Sequence, residues 1–331
     1  MSNFPEPTTL ELSGANTPDG SGAISMSVYE AGPADGFPVV LCHGFPELAY
    51  SWRHQIPAIA DAGFRVIAPD QRGYGNTTAP EDISSFGVEH LTGDLVDMLD
   101  ALDIEKAIFV GHDWGGFIAW AMPVLFPDRT EAVAGVCTPN TPFPTTELLL
   151  AMFGEVDKMY MLWFQEPGVA EGFMDKHVEA TFNNLMVGGR DPEESTSMGE
   201  RREGMDFNPF KRIEELTGFG DPIATSEELD RYIDTFNRTG FRGGINWYRN
   251  IDANAEAYPG IGTTPLDLPT LMITAEWDPA LPPAFAAGMG ELCSDLEMHM
   301  VEKAGHWVQQ EYPNEVNGFL VDWLKRRFPQ S

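Results

Sequence analysis

Gly111-His112-Asp113-Trp114-Gly115-Gly116 stands between an apolar run, Ala107–Val110, and a helix-like stretch, Phe117–Phe126. A short unbroken apolar run reads as a strand buried on both faces, which makes the six residues a strand-to-helix turn. Small residues two before and two after its centre are what a nucleophile elbow requires: the central residue is strained, and bulkier neighbours would collide. Serine is the usual centre; here it is Asp113. A glycine-rich turn can instead cradle phosphate. GHDWGG, however, has neither the GxGxxG nor the GKS/GKT pattern, and its carboxylate repels phosphate. A carboxylate nucleophile attacks saturated carbon and leaves an alkyl ester of the enzyme. Water must then attack the ester carbonyl, which calls for a base and an oxyanion hole.

Working outward, the apolar runs Pro38–Cys42 and Arg65–Ala68 read as further parallel strands, and Ala132–Cys137 fits another. Leu91, Leu95, Met98, Leu99 and Leu102 form one helical stripe between them. Such alternation implies a doubly wound parallel sheet, the α/β class. From Thr138 to about Asn250 the pattern is helical, rich in Met and Phe, without a convincing strand. Thr225-Ser226-Glu227-Glu228 reads as a capping box, with Leu229, Tyr232, Ile233 and Phe236 on one face of the helix that follows. The polar stretch Gly188–Met205 reads as an exposed loop. Strands resume at Thr270–Thr274 and Glu297–Val301, and a helix near Val316–Arg327 closes the chain. The expected division is an α/β core, residues 1–138 and 251–331, carrying a helical insertion at 139–250.

In folds with this elbow the acid and then the histidine follow the nucleophile along the chain. Of the seven histidines, His306 in Ala304-Gly305-His306-Trp307 follows the last strand and is the expected base. His299 lies within that strand and reads as structural. His54, His90 and His177 carry no motif and default to solvated or capping roles. His112 reads as packing or hydrogen bonding. Ala275-Glu276-Trp277-Asp278-Pro279 offers two acids; Asp278, farther into the loop, is expected to orient His306. The backbone N–H of Trp114 and that of Phe45, in His43-Gly44-Phe45-Pro46-Glu47, are the expected oxyanion donors. Asp70-Gln71-Arg72-Gly73-Tyr74-Gly75 reads as a structural turn with an Arg-Asp tether.

The 331 residues suit one large α/β domain or a core with one insertion, and 43% hydrophobic residues suffice for a sizeable core. Fifty-one acidic against 20 basic residues give a net charge of −31, which repels nucleic acid and anionic membranes. The longest near-apolar run, Gly115–Phe126, holds Pro123 and falls short of the ~20 residues a membrane helix needs. The N-terminus shows neither a basic start nor an apolar segment, so no secretory leader is expected. Three scattered cysteines, Cys42, Cys137 and Cys293, suit reduced thiols in the cytoplasm, with no metal site and no disulfide framework.

HGFPE, DQRGYGN, GHDWGG, AEWD and AGHW, in this order and at these intervals, resemble the epoxide hydrolase branch of the α/β-hydrolase fold family. The resemblance runs from about residue 5 to 328. It implies a mostly parallel eight-stranded sheet with helices on both faces and an all-helical cap inserted before the last strands. It also implies conversion of a small-molecule epoxide to a vicinal diol without metal or organic cofactor, by a monomer or homodimer. Tyr160-Met161-Leu162-Trp163-Phe164-Gln165-Glu166-Pro167-Gly168 and Ile245-Asn246-Trp247-Tyr248-Arg249-Asn250 resemble the family's two lid segments, each supplying one tyrosine, here Tyr160 and Tyr248. Trp163 departs from the pattern, standing where tyrosine is common. Two phenols suit this chemistry: they hold the epoxide oxygen and donate to it while neutral at pH 7. A haloalkane or haloacid dehalogenase of the same fold would use the same aspartate. Against it stand Phe45, where haloalkane dehalogenases usually carry asparagine, and the paired lid tyrosines. Asp113 disfavours a serine-type esterase, and the intact triad disfavours a retired hydrolase serving as a ligand receptor.

Overall fold

The computed structural model describes residues 4–17, 23–191, 207–216 and 220–330. Its strands are β1 (Pro7–Glu11), β2 (Ser25–Ala31), β3 (Pro38–Cys42), β4 (Arg65–Pro69), β5 (Ala107–His112), β6 (Thr130–Val136), β7 (Leu266–Ala275) and β8 (Cys293–Val301). They form one sheet in the order β1-β2-β4-β3-β5-β6-β7-β8. β2 runs antiparallel to β1 and β4, and every pairing from β4 to β8 is parallel. The expected mostly parallel eight-stranded sheet is therefore what the chain forms. β1 and β2 escape a search for apolar runs. β1 is largely exposed, and β2 buries Met26 and Val28 with the polar Ser27 buried between them, so neither makes an apolar run.

Helices α1 (Gln55–Asp61), α2 (Val88–Ala101) and α3 (Trp114–Leu125) cross between the early strands. Alternate residues of each central strand face opposite sides, so one sheet builds two cores. Val39, Leu41, Ile108 and Val110 pack with Ile56, Leu320 and Trp323 on one side. Val40, Phe109 and Val133 pack with Leu91, Leu95 and Ile118 on the other. Each such fully buried side chain contributes roughly 1.5–3 kcal/mol. Parallel strands leave their carboxyl ends at one edge, where the loops after β3, β5, β7 and β8 converge.

Between β6 and β7 come α4 (Thr146–Phe153), α5 (Tyr160–Trp163), α6 (Val169–Met174), α7 (Val178–Leu185), α8 (Ser226–Thr239), α9 (Arg242–Tyr248) and α10 (Ile251–Ala257). The β pairing found there among the described residues consists of isolated bridges, Met159 with Phe207 and Val187 with Pro222. The capping box forms at α8: Thr225 Oγ1 accepts from the Glu228 N–H at 3.3 Å, and Glu228 Oε2 accepts from the Thr225 N–H at 2.8 Å. Leu229, Tyr232 and Phe236 are buried, whereas Ile233 is only half-buried. α11 (Met289–Leu292), α12 (Val308–Glu311) and α13 (Pro313–Arg327) complete the core. Most of the stretch 188–205 lies outside the described residues.

Three local expectations need correction. The tether of the Asp70–Gly75 turn is not internal: Arg72 clamps Asp94 of α2 bidentately, at 2.6 and 2.7 Å. Asp70 instead accepts from the Ala49 N–H at 2.9 Å. His90 is buried beside Glu89 rather than solvated, because α2 turns that face into the core. His54 and His177 occupy N-cap positions without a side-chain capping bond, and the His177 ring stacks on Phe173 at 4.2 Å.

No helix among the described residues is long and apolar enough to cross a membrane. A net charge of −31 makes the folded surface self-repelling, and salt screens that repulsion. Raising salt from ~0.01 to ~1 M shrinks the Debye length from about 30 to about 3 Å. The unfolding midpoint is therefore expected to rise by about 3 °C, the shift that ~2 kcal/mol produces in a chain of this size. A salt-independent melting curve would show that the acidic surface imposes no such cost.

Candidate active site

Asp113 sits between β5 and α3 with φ 50° and ψ −123°, a conformation that costs on the order of 1–3 kcal/mol in a non-glycine residue. The glycines flanking it are obligatory on space alone. A Cβ on Gly111 would lie 2.1 Å from the Gly115 carbonyl oxygen, and one on Gly115 would lie 2.0 Å from the Cys42 oxygen. The elbow is locked from outside by Thr138, whose hydroxyl donates to the Asp113 carbonyl at 2.7 Å.

One oxygen of the Asp113 side chain is already claimed: Oδ1 accepts from the Phe45 N–H at 2.8 Å. Gly44 makes this approach possible, since a Cβ there would stand 2.4 Å from the carboxylate. The loop itself is pinned by His43, which accepts from the Gln71 N–H at 3.1 Å and whose carbonyl takes the Gln71 side chain at 2.6 Å. Trp114 opens α3, so its N–H belongs to the first-turn donors that have no intrahelical acceptor.

Oδ2 of Asp113 lies 3.5 Å from His306 Nε2. On the far side of the ring, Nδ1 meets Asp278 Oδ2 at 2.9 Å. The other Asp278 oxygen accepts from the Ala280 and Leu281 N–H groups at 2.8 and 2.9 Å, which fixes the carboxylate. Burial works to raise Asp278, but the charge and hydrogen bond of His306 and these two N–H groups bring it down to about 2. Burial alone would lower His306; Asp278 and Asp113 outweigh it and hold the ring well above the usual histidine range. Glu276, the acid not chosen, accepts from the Lys303 N–H at 2.8 Å and stays outside this group.

Tyr160 and Tyr248 meet beside Asp113, with ring centroids 5.7 Å apart and nearly perpendicular. Tyr248 also stands edge-on to Trp114 at 5.0 Å and to Phe45 at 5.3 Å. Burial, then the Asp113 charge, raises Tyr160 above the usual tyrosine range. In Tyr248 burial is joined by Tyr160 and then Asp113. Both phenols therefore remain protonated at neutral pH. α9 is seated directly on the Asp70–Gly75 turn: the Trp247 indole donates to the Arg72 carbonyl at 3.1 Å, and a Cβ on Gly243 would be 2.2 Å from the Gly73 oxygen. The two tyrosine segments are stapled together. The Gln165 amide donates to the Tyr248 carbonyl at 2.9 Å, and Arg249 donates to the Phe164 carbonyl at 2.8 Å. Trp163, the departure from the family segment, packs against Phe164 and Phe173.

All seven residues singled out from the sequence thus converge at one end of the sheet. Glu47, in the HGFPE motif, is a further buried polar residue of this site that the spacing of the motifs does not single out. It is fully buried, and its carboxylate binds His112 Nδ1 at 2.7 Å. Its signal was an acid in a short loop at the carboxyl end of a buried strand, two residues after Phe45. Among the described residues, His112, Cys137 and His306 place side-chain donor atoms within 4.8 Å of one another. The Cys137 thiol and His112 Nε2 both engage the His306 carbonyl, at 3.3 and 2.8 Å, so this group holds the His306 loop in place.

An eight-stranded sheet with a carboxylate elbow, a following acid and a late histidine defines an α/β hydrolase, and the family described as alpha/beta hydrolase fold matches residues 38–187. Epoxide hydrolase A of Mycobacterium tuberculosis is 42% identical over 306 residues, covering 91% of this chain and 94% of its own. Bifunctional epoxide hydrolase 2 of Sus scrofa is 38% identical over 306 residues and 89% of this chain, which spans only 52% of that longer protein. The crystal structure of epoxide hydrolase A from Mycobacterium thermoresistibile superposes with a TM-score of 0.84 at 40% identity, covering 97% of this chain and 98% of that one. The chain belongs to the epoxide hydrolase family of the α/β-hydrolase fold.

Proposed function

We propose that this protein hydrolyses an epoxide to a vicinal diol through a covalent ester on Asp113. One observation carries the reading: two protonated phenols stand over a carboxylate whose Oδ1 is held by an N–H and whose Oδ2 faces a histidine. Tyr160 and Tyr248 hydrogen-bond the epoxide oxygen. Asp113 Oδ2 attacks a ring carbon, the carbon–oxygen bond breaks, and a phenol gives its proton to the departing oxygen. The product of this step is a hydroxyalkyl ester.

Ester formation removes the Asp113 charge, one of the two charges that hold the proton on His306. The ring then releases its proton more readily, and that proton balances the one the phenol has lost. Neutral His306, oriented by Asp278, takes a proton from water, and the hydroxide attacks the ester carbonyl. Charge returns to Oδ1, where the Phe45 and Trp114 N–H groups receive it. Collapse breaks the acyl–oxygen bond, and His306 returns its proton to the leaving diol oxygen.

Residues 139–250 form the cap over a core of 1–138 and 251–331 in this reading, with Tyr160 and Tyr248 as its ceiling. A cytoplasmic site of action is supported by three free, buried cysteines. A monomer or homodimer is the proposed assembly, and sedimentation measures it directly.

Tyr160→Phe and Tyr248→Phe are each expected to slow ester formation about 10²-fold, and together on the order of 10³- to 10⁴-fold, as loss of general acid assistance implies. Single-turnover kinetics with an epoxide measures this. A haloalkane serves as the contrast, since a halide leaves without a proton. Equal rates of epoxide opening in the double variant and the parent would reduce both tyrosines to packing.

A further inference from the structure

We infer that Gln310 is a positioning residue that ties the seating of helix α8 to the water-attack half of the reaction. The inference rests on the two-step reading above. Gln310 lies on α12, four residues after His306, and is buried. Its side-chain oxygen accepts from Arg53 Nη1 at 2.6 Å and from the Tyr232 hydroxyl at 3.3 Å. Its side-chain nitrogen donates to Glu47 Oε1 at 3.2 Å. Donors on one side and a carboxylate on the other allow only this orientation of the amide. α8 reaches Gln310 by two routes. Tyr232 touches it directly, and Glu228, one turn earlier, holds Arg53 Nε at 2.7 Å.

On the other side, Glu47 connects to both working loops. Its Oε2 accepts from the Gly44 N–H at 2.9 Å, next to the Phe45 N–H that holds Asp113. The same oxygen binds His112 at 2.7 Å, and the other His112 nitrogen reaches the His306 carbonyl at 2.8 Å. Gln309 supplies the remaining bond to Glu47 Oε1, at 3.0 Å. A fully buried carboxylate that loses one of four partners must shift toward the others or bear the desolvation cost. Either response moves the Phe45 N–H, the His306 loop, or both.

The direction of the effect separates the two half-reactions. Ester formation draws charge away from Oδ1, so a weaker Phe45 hydrogen bond does not slow it. Water attack returns charge to Oδ1 and calls on His306 as base, so the same loosening slows that step. A packing role for Gln310 would not divide the reaction in this way.

Two variants test the inference: Gln310→Met, which keeps the side-chain length without hydrogen bonds, and the conservative Tyr232→Phe. Ester formation and decay are followed in single turnovers by rapid quench and intact mass, using styrene oxide as probe. Formation is expected to stay within about twofold of the parent and decay to slow about tenfold, as loss of a hydrogen bond to a charged network implies. Where decay limits turnover, kcat and KM then fall together and kcat/KM holds. The double variant should be no slower than the slower single variant, because both act through one amide. Unchanged decay in Tyr232→Phe, or formation slowed as much as decay, overturns the role of Gln310. His306→Gln is the control: absence of ester there overturns the covalent reading itself rather than this link.

Discussion

Replacing Asp113 by alanine abolishes ester formation and lowers diol production by on the order of 10⁴-fold or more, the scale for removing a nucleophile. The substitution tests chemistry rather than folding. Alanine meets the same positive-φ strain as aspartate, and Gly111, Gly115 and Thr138 hold the elbow through backbone contacts that do not use the side chain. What it loses is the acceptor for the Phe45 N–H and the negative charge beside His306. The variant should therefore melt near the parent. Its His306 should titrate lower than in the parent, because one of the carboxylates holding its proton has gone, as imidazole resonances would show. Undiminished diol production by this variant would sink the mechanism.

His306→Gln gives the opposite phenotype: the ester forms and stays. Ester decay is expected to slow by on the order of 10³-fold or more, since glutamine cannot take a proton from water. Intact mass should show an adduct of one whole epoxide, and peptide mapping should place it on Asp113. An adduct seen only with halides, and lighter by the lost halide, would mark the chain as a dehalogenase.

Stability in this variant follows from linkage. Asp278 titrates at about 2 in the fold, below its ordinary value, so its contribution is present above the ordinary carboxylate range and lost as pH falls. His306 titrates above its ordinary value, so its contribution is full below the ordinary histidine range and lost as pH rises through the raised one. Glutamine removes both contributions and leaves Asp278 buried without its cation. A lower melting temperature at neutral pH accompanies the stalled ester.

The elbow was legible because steric necessity wrote it into adjacent residues: Gly111 and Gly115 admit no Cβ, and the strand before them is apolar throughout. Asp278 and His306 could be singled out because each follows the carboxyl end of a parallel strand, the largely buried β7 and the edge strand β8, and chain order after the elbow limits the choice of acid and histidine. Tyr160 and Tyr248 were not readable as a pair from spacing. They lie 88 positions apart, and only the resemblance of their segments joined them. The paired packing in the fold is a matter of Gln165 and Arg249 bridging the two segments.

Sequence alone determined the class of sheet and the residue at the elbow, with an acid and a histidine following it along the chain, because these depend on local sterics, hydrophobic periodicity and chain direction. Tertiary structure alone decided the partners of the buried polar groups. Arg72 passes over Asp70 for Asp94, His90 turns inward, and Glu47 gathers Gly44, His112, Gln309 and Gln310 around one carboxylate. A charged group taken out of water must find whatever partner the packing brings within about 3 Å, and that neighbour is set by how distant elements dock. No periodicity along the chain encodes that choice.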